Sequence, residues 1–186
     1  MPRGSRTRAS VGKKPPRAGK LLEEQLLVTQ NNLARTYQLL GRHEDALHVK
    51  RDVYFGFLKI QGEESERSLL AANNYAATLS ELKRFEEAKA LLGKVIPVAR
   101  RVFGNNHEST LKMRWCCAMA LYENKGATLD DLREAETTLE EMERTARRVF
   151  GGAHPIAVGI GHALERSREA LRARETSCTC VPVPGA

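Results

Sequence analysis

The sequence predicts an all-α fold, a right-handed α-α superhelical solenoid of stacked helix pairs, on three observations. Residues recur with a period of 42: Ala34, Ala76 and Ala118 keep that spacing, as do Leu27, Leu69 and Leu111, Gly62 and Gly104, and Ala46 and Ala88. The next steps, Ala88 to Ala135 and Gly104 to Gly151, are both 47, which places one five-residue insertion in ENKGATLDDL, from Glu123 to Leu132. Within a period the apolar residues follow helical spacing. Phe85, Ala88, Leu91, Leu92, Val95, Ile96, Ala99, Val102 and Phe103 rise in steps of 3 and 1, one buried face of a helix. Finally, the chain is rich in Ala, Leu, Glu, Arg and Lys, carries only 5% aromatics, and nowhere sustains the two-residue alternation of a strand. A period of this length marks a repeat array, whose units cannot enclose their apolar faces alone and must stack.

Each element then has a reason. The first helix of each pair carries NNLARTYQLLG, NNYAATLSELK and WCCAMALYENK in turn, and the second carries HEDALHVKRDVYFGFLKIQG and then FEEAKALLGKVIPVARRVFG. Helices are expected at about 21–40, 43–60, 64–82, 85–103, 107–123, 129–150 and 155–173, with ends good to about two to four residues. That makes three pairs and a last helix whose outer side, ERSREALRARE, caps the stack with charge. The array is expected over residues 21–174, in units of about 21–62, 63–104 and 105–151 and a final helix of 153–174. It lies between a disordered basic tail, 1–20, and a disordered tail, 175–186. The recurring alanines mark close approach of partner helices, where a longer side chain would overpack at a cost of order 1–3 kcal/mol. Pro97 falls inside the fourth helix. It removes one backbone hydrogen bond and is expected to kink the helix or to cost about 3 kcal/mol.

Charge narrows the classes of function. The formal charge is +7, yet residues 1–20 hold seven basic residues and no acid, which leaves 23 basic residues to match 23 acidic ones in the rest. The body is therefore formally neutral and offers no net basic face for nucleic acid, so any such contact falls to the tail. No apolar run approaches the roughly 20 residues of a membrane span, so no integral membrane contact is expected. Cys116 and Cys117 are adjacent in a helix and Cys178 and Cys180 sit near the C-terminus, a pattern that suits reduced thiols in an intracellular setting rather than a disulfide framework. Cytoplasmic localisation is expected, with an organelle or the nucleus as the alternative if the tail acts as an address.

The spacing from Ala34 to Tyr37, Gly41 and Ala46 resembles a tetratricopeptide repeat, and GRHEDALHV and RFEEAKALL resemble the opening of its second helix. The 42-residue unit, with NNLA and a G-x-x-H-P joint, is similar to the repeats of kinesin light chains. The resemblance covers roughly residues 21–174. Two departures stand out: GEESERS replaces the histidine joint in the first unit, and residues 1–20 lack the heptads that precede the repeats in kinesin light chains. No motor-subunit role is expected on that account.

The joints ARRVFGNNHEST and ARRVFGGAHPIA, at Ala99 and Ala146, pose one chemical question. In arrays of this family the glycine ends the second helix, so Gly104 and Gly151 are expected at positive φ. Arg100, Arg101, Arg147 and Arg148 then sit where the helix dipole is negative. Asn105 or Asn106 is expected to cap the next helix, Pro155 suits a first turn, and His107 and His154 pack or hydrogen-bond across the joint. A metal or general-base role would need converging partners, and no H-x-x-x-H, H-E-x-x-H or C-x-x-C accompanies either histidine. His43, His48 and His162 read as ordinary surface or packing residues, and Cys117 as core. No catalytic residue, metal site or cofactor is expected, and the chain reads as no enzyme.

The resemblance implies that first helices line a concave groove for a peptide segment of another protein. By register the inward positions are Val28, Asn31, Arg35 and Gln38, then Leu70, Asn73, Ala77 and Ser80, then Lys112, Trp115, Met119 and Tyr122. The last helix should contribute, but its register is too degraded to assign. Asn31 and Asn73 can both donate to and accept from a peptide backbone. Trp115, Met119 and Tyr122 make an adaptable apolar patch, although Trp115 could equally fill the contact with the next repeat. The Lys, Asn and Arg slots of a dicarboxylate clamp do not match, so none is expected. The function expected is a protein–protein interaction adaptor. The alternative is a part of a larger assembly that uses convex or end surfaces, including self-association through the array ends. Four roles suit the tail MPRGSRTRASVGKKPPRAGK: a solubilising end, a transit peptide, a nuclear or nucleic-acid tether through GKKPPR, or contact with an acidic surface.

Overall fold

A computed structural model describes residues 17–179; the tail readings for residues 1–16, and Cys180 beyond, lie outside the described residues, as does the Cys178 side chain. Seven helices follow in order among them: α1 Arg17–Leu39, α2 His43–Gln61, α3 Glu66–Glu81, α4 Phe85–Phe103, α5 Glu108–Tyr122, α6 Leu129–Phe150 and α7 Pro155–Thr179. Each packs on its neighbour in sequence; α3 also packs on α5, and α5 on α7. The molecule is an all-α solenoid of three helix pairs and a last helix.

Two boundaries differ from expectation. The first helix begins at Arg17, inside the stretch expected to be tail, and the last runs to Thr179, past residue 174. The start of the α7 extension is exposed but anchored. Arg174 donates to the carbonyl of Lys125 (2.8 Å) in the insertion, and Arg133 reaches Glu175 (3.4 Å). Polar contacts to residues far away in sequence thus hold the helix beyond the point where its apolar spacing fades. Pro97 does not break α4, which is helical from Phe85 to Phe103. Pro97 and Gly93, the residue whose carbonyl loses its donor, are both exposed, so water can satisfy the freed oxygen.

The repeating alanines pack as the period requires. Ala34, Ala76, Ala46, Ala88 and Ala135 have no exposed surface, and Ala118 only 1%. Gly56 of α2 plays the same part against α1, because a Cβ there would meet the Leu27 side chain (Cδ1 at 3.0 Å). Within pairs, the turns repeat too. Gly41 (φ 73°) closes α1 with Gly41 N–H donating to Gln38 and Arg42 N–H to Tyr37, and Lys83 (φ 60°), 42 positions on, closes α3 through the same two bonds to Ser80 and Leu79. This is the Schellman arrangement, and Lys83 occupies in it a left-handed conformation that suits glycine better. In the third pair the insertion replaces this turn. Thr128 caps α6 in a reciprocal box with Asp131, and Asp131 also accepts from Lys89 of α4 (2.9 Å). The insertion is thereby bonded to the preceding pair.

Candidate functional site

Between pairs, the joint residues build a cap rather than a chemical centre. Gly104 (φ 93°) and Gly151 (φ 89°) end α4 and α6 in a conformation that a Cβ would strain. Three residues on, the imidazole Nδ1 of His107 accepts the Ser109 N–H (3.2 Å), and that of His154 accepts the Ile156 N–H (3.3 Å). Each ring lies on the phenylalanine before the glycine: Phe103 on His107 and Phe150 on His154, both with centroids 4.9 Å apart. Accepting from a backbone amide requires an unprotonated Nδ1. His107, not Asn105 or Asn106, is therefore the residue that caps α5, and the expectation of an asparagine cap is corrected. An imidazole can cap here because the stacked phenylalanine fixes its plane. In the first unit Ser65 stands in the histidine slot and Gln61 in the phenylalanine slot, and the serine hydroxyl donates to the glutamine oxygen (2.5 Å). A polar pair replaces the stacked pair at the same joint. Among the described residues no three of His, Cys, Asp and Glu gather as a metal group.

The first helices bring most of the expected groove residues together. Asn73, Ala77 and Ser80 of α3 face Lys112, Trp115 and Met119 of α5 across a depression of about 380 Å³, whose walls are mostly apolar. It shares Trp115 and Met119 with a second depression of about 270 Å³ on α7, and Ser80 with a third of about 760 Å³ that Tyr122 also lines. Val28, Asn31 and Leu70 line a separate hollow between α1 and α3. Arg35 is exposed outside these hollows. Gln38 turns inward: its amide nitrogen donates to Thr78 (3.3 Å) and Glu81 (2.6 Å), and its oxygen accepts from the buried Lys50 (2.5 Å), which also donates to Thr78 (2.8 Å). Burial pushes the Lys50 ammonium below its ordinary range, with Glu81 opposing. Gln38 satisfies that lysine and is not free for a ligand.

Three of the groove residues carry buried polar atoms with no partner among the described residues: Asn73 Oδ1, Trp115 Nε1 and the Tyr122 hydroxyl. Such atoms are rare in native folds, because leaving one unbonded costs of order 1–3 kcal/mol. Desolvation pushes the Tyr122 phenol up to about 12 and the Cys116 thiol up to about 11, so both are neutral protonated groups in this wall. The Arg166 guanidinium covers the Tyr122 ring (5.6 Å to the centroid) and bonds Glu123 (2.7 Å). Trp115 lines the groove and at the same time lies on the backbone of Gly159, where a Cβ would run into the indole (Cζ3 at 3.1 Å). Of the two readings that the sequence left open, the contact with the next helix is present, and the same indole forms part of the groove wall.

Gly159, His162 and Arg166, with Glu169, are the α7 contribution that the sequence reading missed. The signal was present. The 47-residue step that carries Gly104 to Gly151 also carries Lys112, Trp115, Met119 and Tyr122 onto these four positions.

The model of the tetratricopeptide repeat family matches residues 26–52 and 68–109, in phase with the first two units. Those residues carry tetratricopeptide repeats. Its fold is similar to two crystal structures of the nearly identical TPR-like repeats of a Podosopora anserina protein assigned as a kinesin light chain, one of them a point variant. They have TM-scores of 0.65 and 0.63 and identities of 23% and 24%, over 82% of this chain and 70% of each of those. It is also similar to BtubC (BKLC) from P. vanneervenii, with a TM-score of 0.61 and 17% identity over 88% of this chain and 69% of that one. No curated protein matches the chain in sequence. The fold of the array resembles that of these TPR-like repeats, and no helix among the described residues is long and apolar enough to cross a membrane.

Proposed function

We propose that the tetratricopeptide array is an adaptor that holds an extended segment of a partner protein along α3, α5 and α7. One observation carries the reading: the hollows lined by Asn73, Trp115, Met119 and Tyr122 run on from α3 across α5 to α7 through shared residues. The Asn73 Oδ1 and the Trp115 N–H, both buried and without partners among the described residues, would find an N–H donor and a carbonyl acceptor on a peptide backbone once the side chains turn toward the groove. Between them Met119, Ala77 and the indole face offer an adaptable apolar surface for ligand side chains. Lys112 (ion-paired to Glu108), Glu81 and Glu123 put both signs of charge at the rim, which favours selectivity over strength.

The test is a peptide-display selection against the full chain, followed by binding measurements with the enriched peptides. Asn73→Ala with Trp115→Ala should weaken those peptides at least tenfold, while an exchange on the outer face, such as Lys94→Ala, should not. Peptides whose affinity survives the groove substitutions would place the binding elsewhere.

A further inference from the structure

The two ends of the array differ. At the C-terminal end α7 is laced with charge: Arg168 bonds Glu136, Glu140 and Glu165. At the other end α1 exposes an apolar line. Leu22, Leu26, Leu33 and Leu40 are 67%, 57%, 45% and 68% exposed. Thr29 and Thr36 complete the line, and their hydroxyls donate back to the carbonyls of Gln25 (3.0 Å) and Asn32 (3.3 Å), so that each is bonded within its own helix. Leu40 extends the line because its N–H still donates to Thr36.

The spacing of these six residues is 4, 3, 4, 3, 4. That is the alternation of a seam between two helices, and it falls within a narrow strip of the surface at 3.6 residues per turn. It also reads the same in both directions about residue 31. An antiparallel second copy therefore sets Leu22 against Leu40, Leu26 against Thr36, and Thr29 against Leu33, twice over, as a two-fold contact requires. The charged residues of α1 with described side chains, Lys20, Glu23, Glu24 and Arg35, all lie off the strip, which is flanked instead by Gln25, Gln30 and Asn32. Antiparallel helices also oppose unlike dipole ends.

From this self-complementary line we infer that the chain forms a two-fold dimer through antiparallel α1 helices. The seam is about 27 Å long and about 10 Å wide. That strip, roughly 270 Å² on each copy, falls well short of the ~1,200 Å² of standard interfaces, so the dimer should be a weak one.

Sedimentation equilibrium of the full chain from about 1 to about 200 μM should show a monomer–dimer equilibrium. Leu26→Glu with Leu33→Glu should abolish the dimer. So should Thr29→Glu with Thr36→Glu, which alters only two exposed, outward-facing residues and keeps the test valid if the leucine pair misfolds. Thr29→Lys with Leu33→Glu should regain part of the association lost in Leu33→Glu alone, because the antiparallel register sets the introduced ammonium of one copy against the introduced carboxylate of the other. A wild-type monomer at every concentration, association beyond a dimer, or a dimer indifferent to these glutamates would overturn the inference. Failure of the charge pair to restore association would overturn its antiparallel register.

Discussion

At the residue scale, the joint histidines show how a residue type suggestive of chemistry serves structure. His107 combines an N-cap bond with a ring stacked on Phe103, and His154 repeats both with Phe150. The two contributions separate by substitution. His107→Ala removes both and should cost about 1.5–2.5 kcal/mol, from a cap worth about 1 and a stack worth about 0.5–1.5 beyond its buried area. His107→Asn keeps an acceptor at a position where asparagine caps well, and should recover roughly the cap's share. Urea unfolding of the three proteins checks this. Equal stability of His107→Ala and wild type would mean that the exposed ring contributes nothing. The same residues explain why the sequence pointed to asparagine: cap preference favours Asn105 and Asn106, and only the stacking partner four residues before each histidine shifts the cap onto the imidazole.

At the element scale, every helix was legible, because the alanine period and the 3-and-1 apolar steps are set by burial that the structure repeats in each unit. What was not legible depended on pairs far apart in sequence. The α7 extension rests on polar contacts to the insertion and to α6 rather than on apolar spacing, and the groove wall on α7 was hidden by the five-residue insertion. The insertion itself is held by such a distant pair. Lys89, Thr128 and the Thr128 backbone amide all donate to Asp131 and hold its carboxyl well below the usual carboxylate range, the lysine contributing most. A folded-state value below the unfolded one of about 4 means that the stabilisation is present above that pH and is lost as pH falls below it. Wild type should therefore lose stability more steeply than Asp131→Asn on acidification from about pH 6 to about pH 2. The two should converge at the acid end. Parallel pH profiles would show that the carboxylate is no better held in the fold than in the unfolded chain.

At the scale of the whole molecule, the question is whether the stack behaves as one unit or as separable pairs. An array is stabilised by units and by the contacts between neighbours, and it unfolds together only where those contacts are strong. The contact between the second and third units is built from the core: Met113 of α5, fully buried, lies in one cluster with Leu69, Ala72 and Ala76 of α3 and with Leu92, Val95 and Ala99 of α4. The contact onward to α7 is core as well: Leu111, Ala118 and Leu121 of α5 share one cluster with Ile156, Ile160 and Leu164 of α7, and the indole of Trp115 lies against Gly159. Trp115 is the only tryptophan in the chain, so its fluorescence reports the third unit and its neighbour, while far-ultraviolet circular dichroism reports all helices. Ala76→Leu forces a larger side chain into a site with no exposed surface, at a cost of about 1–3 kcal/mol. At this chain length each kcal/mol lowers the melting temperature by about 2–4 °C. Because Met113 ties the strained site to the helix that carries Trp115, both signals should fall together and keep a common midpoint. A fluorescence transition left in place while the dichroism transition drops would mean that the third unit and α7 stand without the second. In that case the groove between α3 and α5 would open before the rest of the array unfolds.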